Sequence, residues 1–230
     1  MKRRIIIGTL LLLFVSPLVA DLPLLGREKT APTPTTADLC KHLYDALCPD
    51  GSICYAAFKE AYHGYQNIKN KEREVLTLID FSLPSTAPRL YVFDMKALKL
   101  LFKSEVAHGR NSGDNYATSF SNKPGSYKSS LGFFLTGNTY QGKNGYSLKL
   151  KGLERGINDN AEARAIVVHG AKYANPTVCK RGRLGRSLGC PALPEAMNKP
   201  IIDAIKGGSV LYIYATDQRY RSQTHLLPNG

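Results

Sequence analysis

One stretch of the sequence, residues 164–193, constrains the fold of this chain more than any other. It opens with an apolar, largely β-branched run at residues 165–168, which is typical of a buried strand. His169 and Gly170 follow where this strand is predicted to end, and residues 187–191 later place a cysteine between a glycine and a proline. A histidine and a thiol assist each other only within hydrogen-bonding reach. We therefore expect a fold that brings the strand end and the cysteine turn together.

Cys190 is the candidate nucleophile of this stretch. The thiolate is the reactive form of cysteine, so an adjacent imidazole such as that of His169 makes the thiol useful near neutral pH. Gly189 leaves the approach to the sulfur unobstructed, and the backbone N–H groups of Leu188 and Gly189 are candidates for holding an oxyanion. The alternative is a structural cysteine that is buried or joined to Cys179 in a disulfide.

The pair His169-Gly170, followed by Ser187-x-Gly189-Cys190, resembles the signature of the L,D-transpeptidase (YkuD-type) catalytic domain. Other blocks are similar, in the same order, to the murein L,D-transpeptidase branch of that family; they lie at residues 106–122, 129–134, 145–161 and 185–193. The resemblance extends over most of the chain, from residue 40 to residue 225.

The resemblance implies a bacterial cell-wall enzyme that needs no cofactor and uses Cys190 to attack peptidoglycan stem peptides. In the family, the carbonyl of the residue after the histidine, here Gly170, orients the imidazole in place of a carboxylate. A Cys190 thioester would then pass to an amine of a second stem peptide and form an L,D (3–3) cross-link. The alternatives are an L,D-carboxypeptidase, a hydrolase of links between wall and protein, and a non-catalytic module that binds the cell wall.

Four further residues are candidates for binding the substrate. Ser187 has a hydroxyl that suits either a substrate peptide or the backbone of its own turn. Many relatives carry an arginine two residues after the cysteine, where this chain has Ala192. Arg186 is the first candidate to replace that arginine and pair with a substrate carboxylate. His108 and Arg110 open a polar loop that faces the site in the resembled branch. The histidines and cysteines lack the short paired spacings of zinc ligands, so no metal site is predicted.

The N-terminus predicts export. Residues 1–20 combine a basic start, an apolar run and small residues at the end, as secretory signals do. The apolar run is shorter than the about twenty residues that span a membrane, and an uncleaved signal that anchors the chain is the alternative. We expect a location in the periplasm or the cell envelope. Export would place the chain's 5 cysteines in an oxidising compartment, where we expect Cys190 to be unpaired and favour a Cys48–Cys54 disulfide.

The chain is strongly basic, with a formal net charge of +13. Such a charge attracts polyanions such as teichoic acids or phospholipid surfaces, or simply keeps the protein soluble. No arginine-rich helix or RNA-binding aromatic motif is found, so nucleic acid is not an expected partner. The expected partner is the peptidoglycan stem peptide, and the sequence leaves the oligomeric state open.

The order of patterns along the chain predicts a signal at 1–20, a flexible linker at 21–37, a helical extension at 38–70 and a catalytic domain at 71–225. Closely spaced strands without regular alternation with helices predict a mainly antiparallel sandwich or barrel-like sheet. The resemblance likewise implies a β-sandwich, with a small N-terminal helical pair and one helix after the cysteine. The predicted strands lie at 75–81, 89–94, 98–106, 132–135, 146–150, 165–168 and 210–214, and the later helix at 197–205.

Overall fold

The structure is a computed structural model and describes residues 36–228. The predicted signal, and the predicted linker up to residue 35, lie outside the described residues. Strands dominate the fold and confirm the predicted class. They are β1 (Val75–Asp80), β2 (Leu90–Asp94), β3 (Lys99–Ser104), β4 (Gly132–Gly142), β5 (Gly145–Gly152), β6 (Val167–Gly170), β7 (Ala192–Leu193) and β8 (Val210–Tyr214).

These strands form one sheet in the order β3-β2-β1-β8-β4-β5-β6-β7. Most neighbours are antiparallel, and the parallel pairs are β1 with β8 and β6 with β7. After β3 the chain reaches the opposite edge of the sheet, where Ala107 and Ala192 exchange backbone hydrogen bonds of 2.8 and 3.2 Å. Gly109 and Ser187 form a second bridge beside them. We call these two bridges the seam, because they join the two edges and give the sheet its barrel-like closure.

The centre of the sheet is covered on both sides. All six residues of β1 are buried, since helices α2 (Tyr55–Asn67) and α3 (Glu195–Ile205) both pack against this strand. A strand buried on both faces reads as a continuous apolar run rather than an alternating one. By contrast, β3 at the sheet edge alternates between exposed and more buried positions.

An N-terminal pair of helices packs on one side of the sheet through aromatic side chains. Helix α1 (Thr36–Leu47) begins two residues before the expected start of the helical extension. From α2, Phe58 is fully buried and lies with its ring centroid 5.6 Å from those of Tyr44 and Phe93. Phe58, Tyr62 and Tyr65 of α2 therefore belong to the core.

Helix α3 supports the strand end that carries the histidine. A Cβ atom placed on Gly170 would lie 3.0 Å from the Asn198 side chain of α3, so the helix and the strand are in close contact. Asn198 also donates a 2.8 Å hydrogen bond to the carbonyl of Tyr146 in β5. A short helix that the sequence did not predict, α4 (Gln218–Gln223), follows β8. Within residues 36–228, no helix is long and apolar enough to cross a membrane.

The cysteines, all of which lie within the described residues, are unpaired. The favoured Cys48–Cys54 disulfide is therefore absent, because Cys48 is packed into the core at the end of α1 while Cys54 is exposed before α2. Cys179 and Cys190 are also unpaired. This arrangement removes the disulfide form of the structural alternative for Cys190.

Candidate active site

Cys190 lies in the bend that leads into β7, where it is partly buried against the main core. Its thiol donates a hydrogen bond to the carbonyl of Ala165, with a sulfur–oxygen distance of 3.6 Å. Burial raises the pKa of the Cys190 thiol, whereas the backbone N–H of Val167 and the nearby Arg164 guanidinium oppose that rise. The resting sulfur is therefore a neutral thiol, although the groups around it would stabilise a thiolate.

A backbone kink just before β6 shapes the environment of the Cys190 sulfur. Ala165 has a φ of 53°, a left-handed conformation that non-glycine residues rarely adopt. The kink turns the Ala165 carbonyl toward the thiol, and two residues later the N–H of Val167 faces the same sulfur. Strained conformations of this kind persist only where the surrounding structure holds them, and they cluster at functional sites.

His169 lies on β6 next to the segment that carries the cysteine. It pairs in register with Ala192 of β7, two residues after Cys190. Its Nδ1 lies 2.9 Å from the carbonyl oxygen of Gly170, the contact that the resemblance implied. A carbonyl oxygen only accepts hydrogen bonds, so Nδ1 carries the proton and Nε2 offers a lone pair.

The imidazole of His169 is buried. Only 4% of the surface of His169 is exposed, and this burial lowers its pKa, although the bond to Gly170 opposes the effect. Lowered basicity at His169 and lowered acidity at Cys190 both favour neutral groups near pH 7. The pair is therefore arranged for proton transfer during attack rather than for a preformed ion pair.

The turn before Cys190 is held by its own serine. The Ser187 hydroxyl donates a 2.6 Å hydrogen bond to the carbonyl of Cys190 and accepts one of 3.0 Å from the N–H of Gly189. This geometry favours the turn-stabilising alternative for Ser187. It also corrects the predicted oxyanion hole, because the Gly189 N–H is already engaged. Leu188 remains at the rim of the turn with 60% of its surface exposed.

A neighbouring loop clamps the same turn from the other side. Ser129 donates from its hydroxyl to the carbonyl of Gly189 at 3.0 Å and accepts from the N–H of Gly109 at the same distance. Gly189 itself has a φ of 131°, and a Cβ atom there would lie 3.0 Å from the carbonyl oxygen of Lys128. Glycine is therefore required at position 189 by both conformation and space.

The structure corrects the expected role of His108. Only 1% of its surface is exposed, so it has no face to offer a substrate. Its Nδ1 lies 2.8 Å from the guanidinium of Arg89, which is itself fully buried and donates to the carbonyl of Val106. Burial, with Arg89 as the next cause, lowers the pKa of His108 to about 4. His108 is a core residue beneath the seam.

The arginines near the site differ in what they contact. Arg186 donates to the carbonyl of Gly113 at 2.9 Å and lies 3.5 Å from the carboxylate of Asp114, so it is bound to the protein's own loop. Arg110 is exposed and stacks on the ring of Tyr127 at 4.2 Å. Its backbone N–H donates to the carbonyl of Ser187 at 2.8 Å. Of the two arginines predicted to bind the substrate, Arg110 is the more accessible.

Two residues that sequence reasoning missed also border the thiol. Arg164 lies directly before the kink, and its guanidinium Nη2 would be 3.4 Å from a Cβ atom on Gly189. Tyr173, from the 3-10 helix Lys172–Ala174, packs against Gly185, and burial with the nearby cysteine raises its pKa to about 12. Both positions depend on contacts between distant segments, so no local sequence motif predicts them. Among residues 36–228, no group of three or more potential metal ligands is found.

The sheet is closed, and the cysteine segment pairs with the strand that carries the backbone-oriented imidazole. These features define a β-sheet protein with a candidate cysteine–histidine site. The profile of the L,D-transpeptidase catalytic domain family matches residues 50–214 of this sequence. The chain belongs to that family, and the resemblance seen in its motifs is confirmed. The match begins inside the segment predicted as a helical extension.

The solved structures that match this chain are distant in sequence. An L,D-transpeptidase from Mycobacterium smegmatis is 16% identical with a TM-score of 0.38, over 62% of this chain and 59% of that one. The helical cell shape determining protein of Campylobacter jejuni is 12% identical with a TM-score of 0.40, over 68% and 50%. An L,D-transpeptidase from Xylanimonas cellulosilytica is 12% identical with a TM-score of 0.37, over 79% and 94%.

This chain thus spans between half and three fifths of the first two of these structures. No match to a curated protein was found.

Proposed function

We propose that this protein is an exported cysteine transpeptidase of peptidoglycan stem peptides, with Cys190 as nucleophile and His169 as general base. Membership of the L,D-transpeptidase family supports the class of enzyme. The observation that carries the residue assignment is the 2.9 Å contact between Nδ1 of His169 and the carbonyl of Gly170. That contact fixes the tautomer that can accept the thiol proton at Nε2.

The proposed reaction has two acyl-transfer steps. The sulfur of Cys190 attacks the carbonyl carbon of an L-centre residue in the stem peptide, and its proton passes to Nε2 of His169. The tetrahedral intermediate collapses, the imidazolium returns the proton to the leaving amine, and the terminal D-amino acid departs. An amine of a second stem peptide then attacks the thioester, which forms the L,D cross-link and releases the thiol.

Backbone N–H groups around the sulfur support the charged stages of this reaction. The N–H groups of Val167 and of Cys190 itself both favour a charged sulfur. With the Gly189 N–H engaged by Ser187, we assign the developing oxyanion to the N–H of Cys190 rather than to that of Gly189. Removal of one such donor typically costs about 10²–10³ in rate in acyl-transfer enzymes.

We further propose that Arg110 anchors a carboxylate of the stem peptide. Its guanidinium is exposed and its backbone is bonded to Ser187 in the cysteine turn. No salt bridge to Arg110 is found among residues 36–228, unlike Arg186, which lies near Asp114. Arg110 therefore takes the place of the arginine that many relatives carry where this chain has Ala192.

We also propose that residues 1–20 direct export, which would place the enzyme in the periplasm or cell envelope. Residues 38–70 would then buttress a catalytic region at 71–225. The buried aromatic side chains of α2 support this, because they join the helical pair to the sheet.

The decisive experiment compares the exported chain with its Cys190→Ser variant, using Cys179→Ser as the matched control. Intact mass after incubation with a carbapenem should show one acyl adduct on the parent and on Cys179→Ser, and none on Cys190→Ser. Digested wall material should contain L,D cross-linked dimers only where Cys190 is present. Release of the D-amino acid without dimers would instead identify a carboxypeptidase, and absence of any adduct would indicate a non-catalytic module.

A further inference from the structure

Arg164 connects a neighbouring loop to the cysteine turn. We call residues 119–130 the serine-rich loop, because five of them are serines. Nη1 of Arg164 donates to the carbonyl of Ser121 at 2.7 Å and to the hydroxyl of Ser130 at 2.5 Å. Nη2 donates to the carbonyl of Lys128 at 2.6 Å and to the hydroxyl of Ser126 at 3.3 Å. The guanidinium is therefore fixed in place by four hydrogen bonds.

All four of these acceptors are neutral oxygens. Among the described residues 36–228, no salt bridge to Arg164 is found, and its charge is partly buried. A buried charge is costly unless an opposite charge or several hydrogen bonds compensate it. The hydrogen bonds of Arg164 are supplied by the loop, but the opposite charge is not.

The group that would supply the opposite charge is the sulfur of Cys190. The guanidinium lies against Gly189, the residue before the cysteine. The carbonyl that accepts a hydrogen bond from the thiol belongs to Ala165, the residue after the arginine. Burial lowers the pKa of Arg164, and the nearby Cys190 acts against that decrease. Arg164 in turn acts against the rise in the pKa of the Cys190 thiol. Each group thus favours the charged form of the other.

We propose that Arg164 is a positioning residue for the nucleophile, which holds the serine-rich loop against the cysteine turn and presents its positive charge to the Cys190 sulfur. The proposal rests on the function proposed above, in which Cys190 is the nucleophile, and adds a residue that the family motif does not contain. The charge lowers the energy of the thiolate as it forms during attack. It also explains why a neutral resting thiol can be a competent nucleophile in a buried site.

Two other titratable groups belong to elements next to the cysteine turn. His169 lies on β6, which pairs with the segment after Cys190, and it carries no charge in its resting state because burial lowers its pKa. Tyr173 approaches from the 3-10 helix and is also neutral, because burial raises its pKa to about 12. Arg164 is thus the one charged group among the three, and a variant at this position isolates the contribution of charge.

The test measures how fast the thiol of Cys190 itself is alkylated by iodoacetamide between pH 7 and pH 10.5. Mass spectrometry of the Cys190 peptide reads this rate, and the peptide of the exposed Cys54 provides an internal control. The variants are Arg164→Gln, which removes the charge, and Arg164→Lys, which keeps it. Arg155→Gln is the matched control, because it removes the same charge from an exposed arginine elsewhere.

We expect Arg164→Gln to shift the alkylation profile of Cys190 upward by about one pH unit, so that the rate at pH 8 falls about tenfold. Arg164→Lys should keep the profile within roughly a third of that shift, and Arg155→Gln should leave it unchanged. Equal profiles for the parent and Arg164→Gln overturn the proposal. So does an equal shift in the lysine and glutamine variants, since that result would reflect loss of loop structure rather than loss of charge.

The unmodified protein provides a second measurement that does not depend on the folding of a variant. Because the charge of Arg164 is only partly buried, salt should screen it in part. Alkylation of Cys190 relative to Cys54 at pH 8 should therefore slow as ionic strength rises, and an unchanged ratio counts against the proposal. These readouts need no substrate, so a chain that alkylates as expected but transfers no stem peptide would refute the proposed function and leave the role of Arg164 intact.

Discussion

Substitution of Gly189 by alanine tests whether the cysteine turn depends on close backbone approach. The new Cβ atom would lie 3.0 Å from the carbonyl oxygen of Lys128 and 3.1 Å from Cδ1 of Ile166. Both distances are shorter than ordinary van der Waals contact, and the first neighbour is backbone, which has little freedom to move. The φ of 131° adds conformational strain.

The expected cost follows from these two contributions. Strain from a conformation that glycine alone adopts readily costs roughly 1–3 kcal/mol, and overpacking of a well-filled site costs about 1–3 kcal/mol. We expect Gly189→Ala to lower the free energy of unfolding by about 2–6 kcal/mol and to displace Cys190, with loss of carbapenem acylation. Urea unfolding measures the first effect and intact mass measures the second.

Gly156→Ala is the matched control for this substitution. Gly156 has a φ of 79° and nothing within 4 Å of the position its Cβ would take, so alanine there introduces strain without a clash. Its expected cost is about 1 kcal/mol, with acylation unchanged. If Gly189→Ala proved no more destabilising than Gly156→Ala, the close approach of Lys128 to the turn would be refuted.

Three further outcomes are expected. The acylation rate should rise with pH and reach half its plateau below pH 6.5, because burial lowers the pKa of His169 and only the neutral imidazole accepts a proton. The rate should then stay level up to about pH 9, because the pKa of Cys190 is raised from 9.0. A decline that begins at lower pH would contradict a resting pair in which both groups are neutral. The free energy of unfolding should fall between pH 6.5 and about 4, because the unfolded chain protonates His108 before the folded chain does. Linkage gives a decrease of about 3 kcal/mol, and the free energy of unfolding of His108→Gln, measured by urea titration at each pH, should depend less steeply on pH. Ala165→Gly should relieve the φ of 53° and leave the midpoint of thermal unfolding unchanged or slightly higher, whereas a marked decrease would show that the kink is not strained.

The sequence predicted those parts of the fold that rest on local patterns. The buried run of β1 and the alternation of β5 identified both strands, because burial on two faces and burial on one face leave different patterns. The second half of β4 was missed because Tyr140 and its neighbours lie in a largely exposed hairpin with β5. The two-residue β7 was missed because Ala192 becomes a strand residue only through its partner His169.

The candidate site was predictable to the extent that its residues lie in one stretch of sequence. His169, Gly170 and Cys190 were found from their motif, and the structure brings them to adjacent segments of the sheet edge. Arg164 was not found, because its function depends on a loop more than thirty residues upstream, whose serines have no periodic pattern. His108 was wrongly predicted to bind the substrate, because nothing in its polar sequence neighbourhood indicates that it packs against the buried Arg89.

The seam has a consequence for the timing of folding. Its two bridges join residues 107 and 109 to residues 192 and 187, about eighty positions along the chain. Contacts between such distant segments are entropically costly and form late in folding. The cysteine turn is one side of this junction, so its final position against residues 107–109 is reached only when the sheet has closed. The chemistry of the site is thereby coupled to completion of the fold, and a chain that is still unfolded carries an ordinary, unassisted thiol.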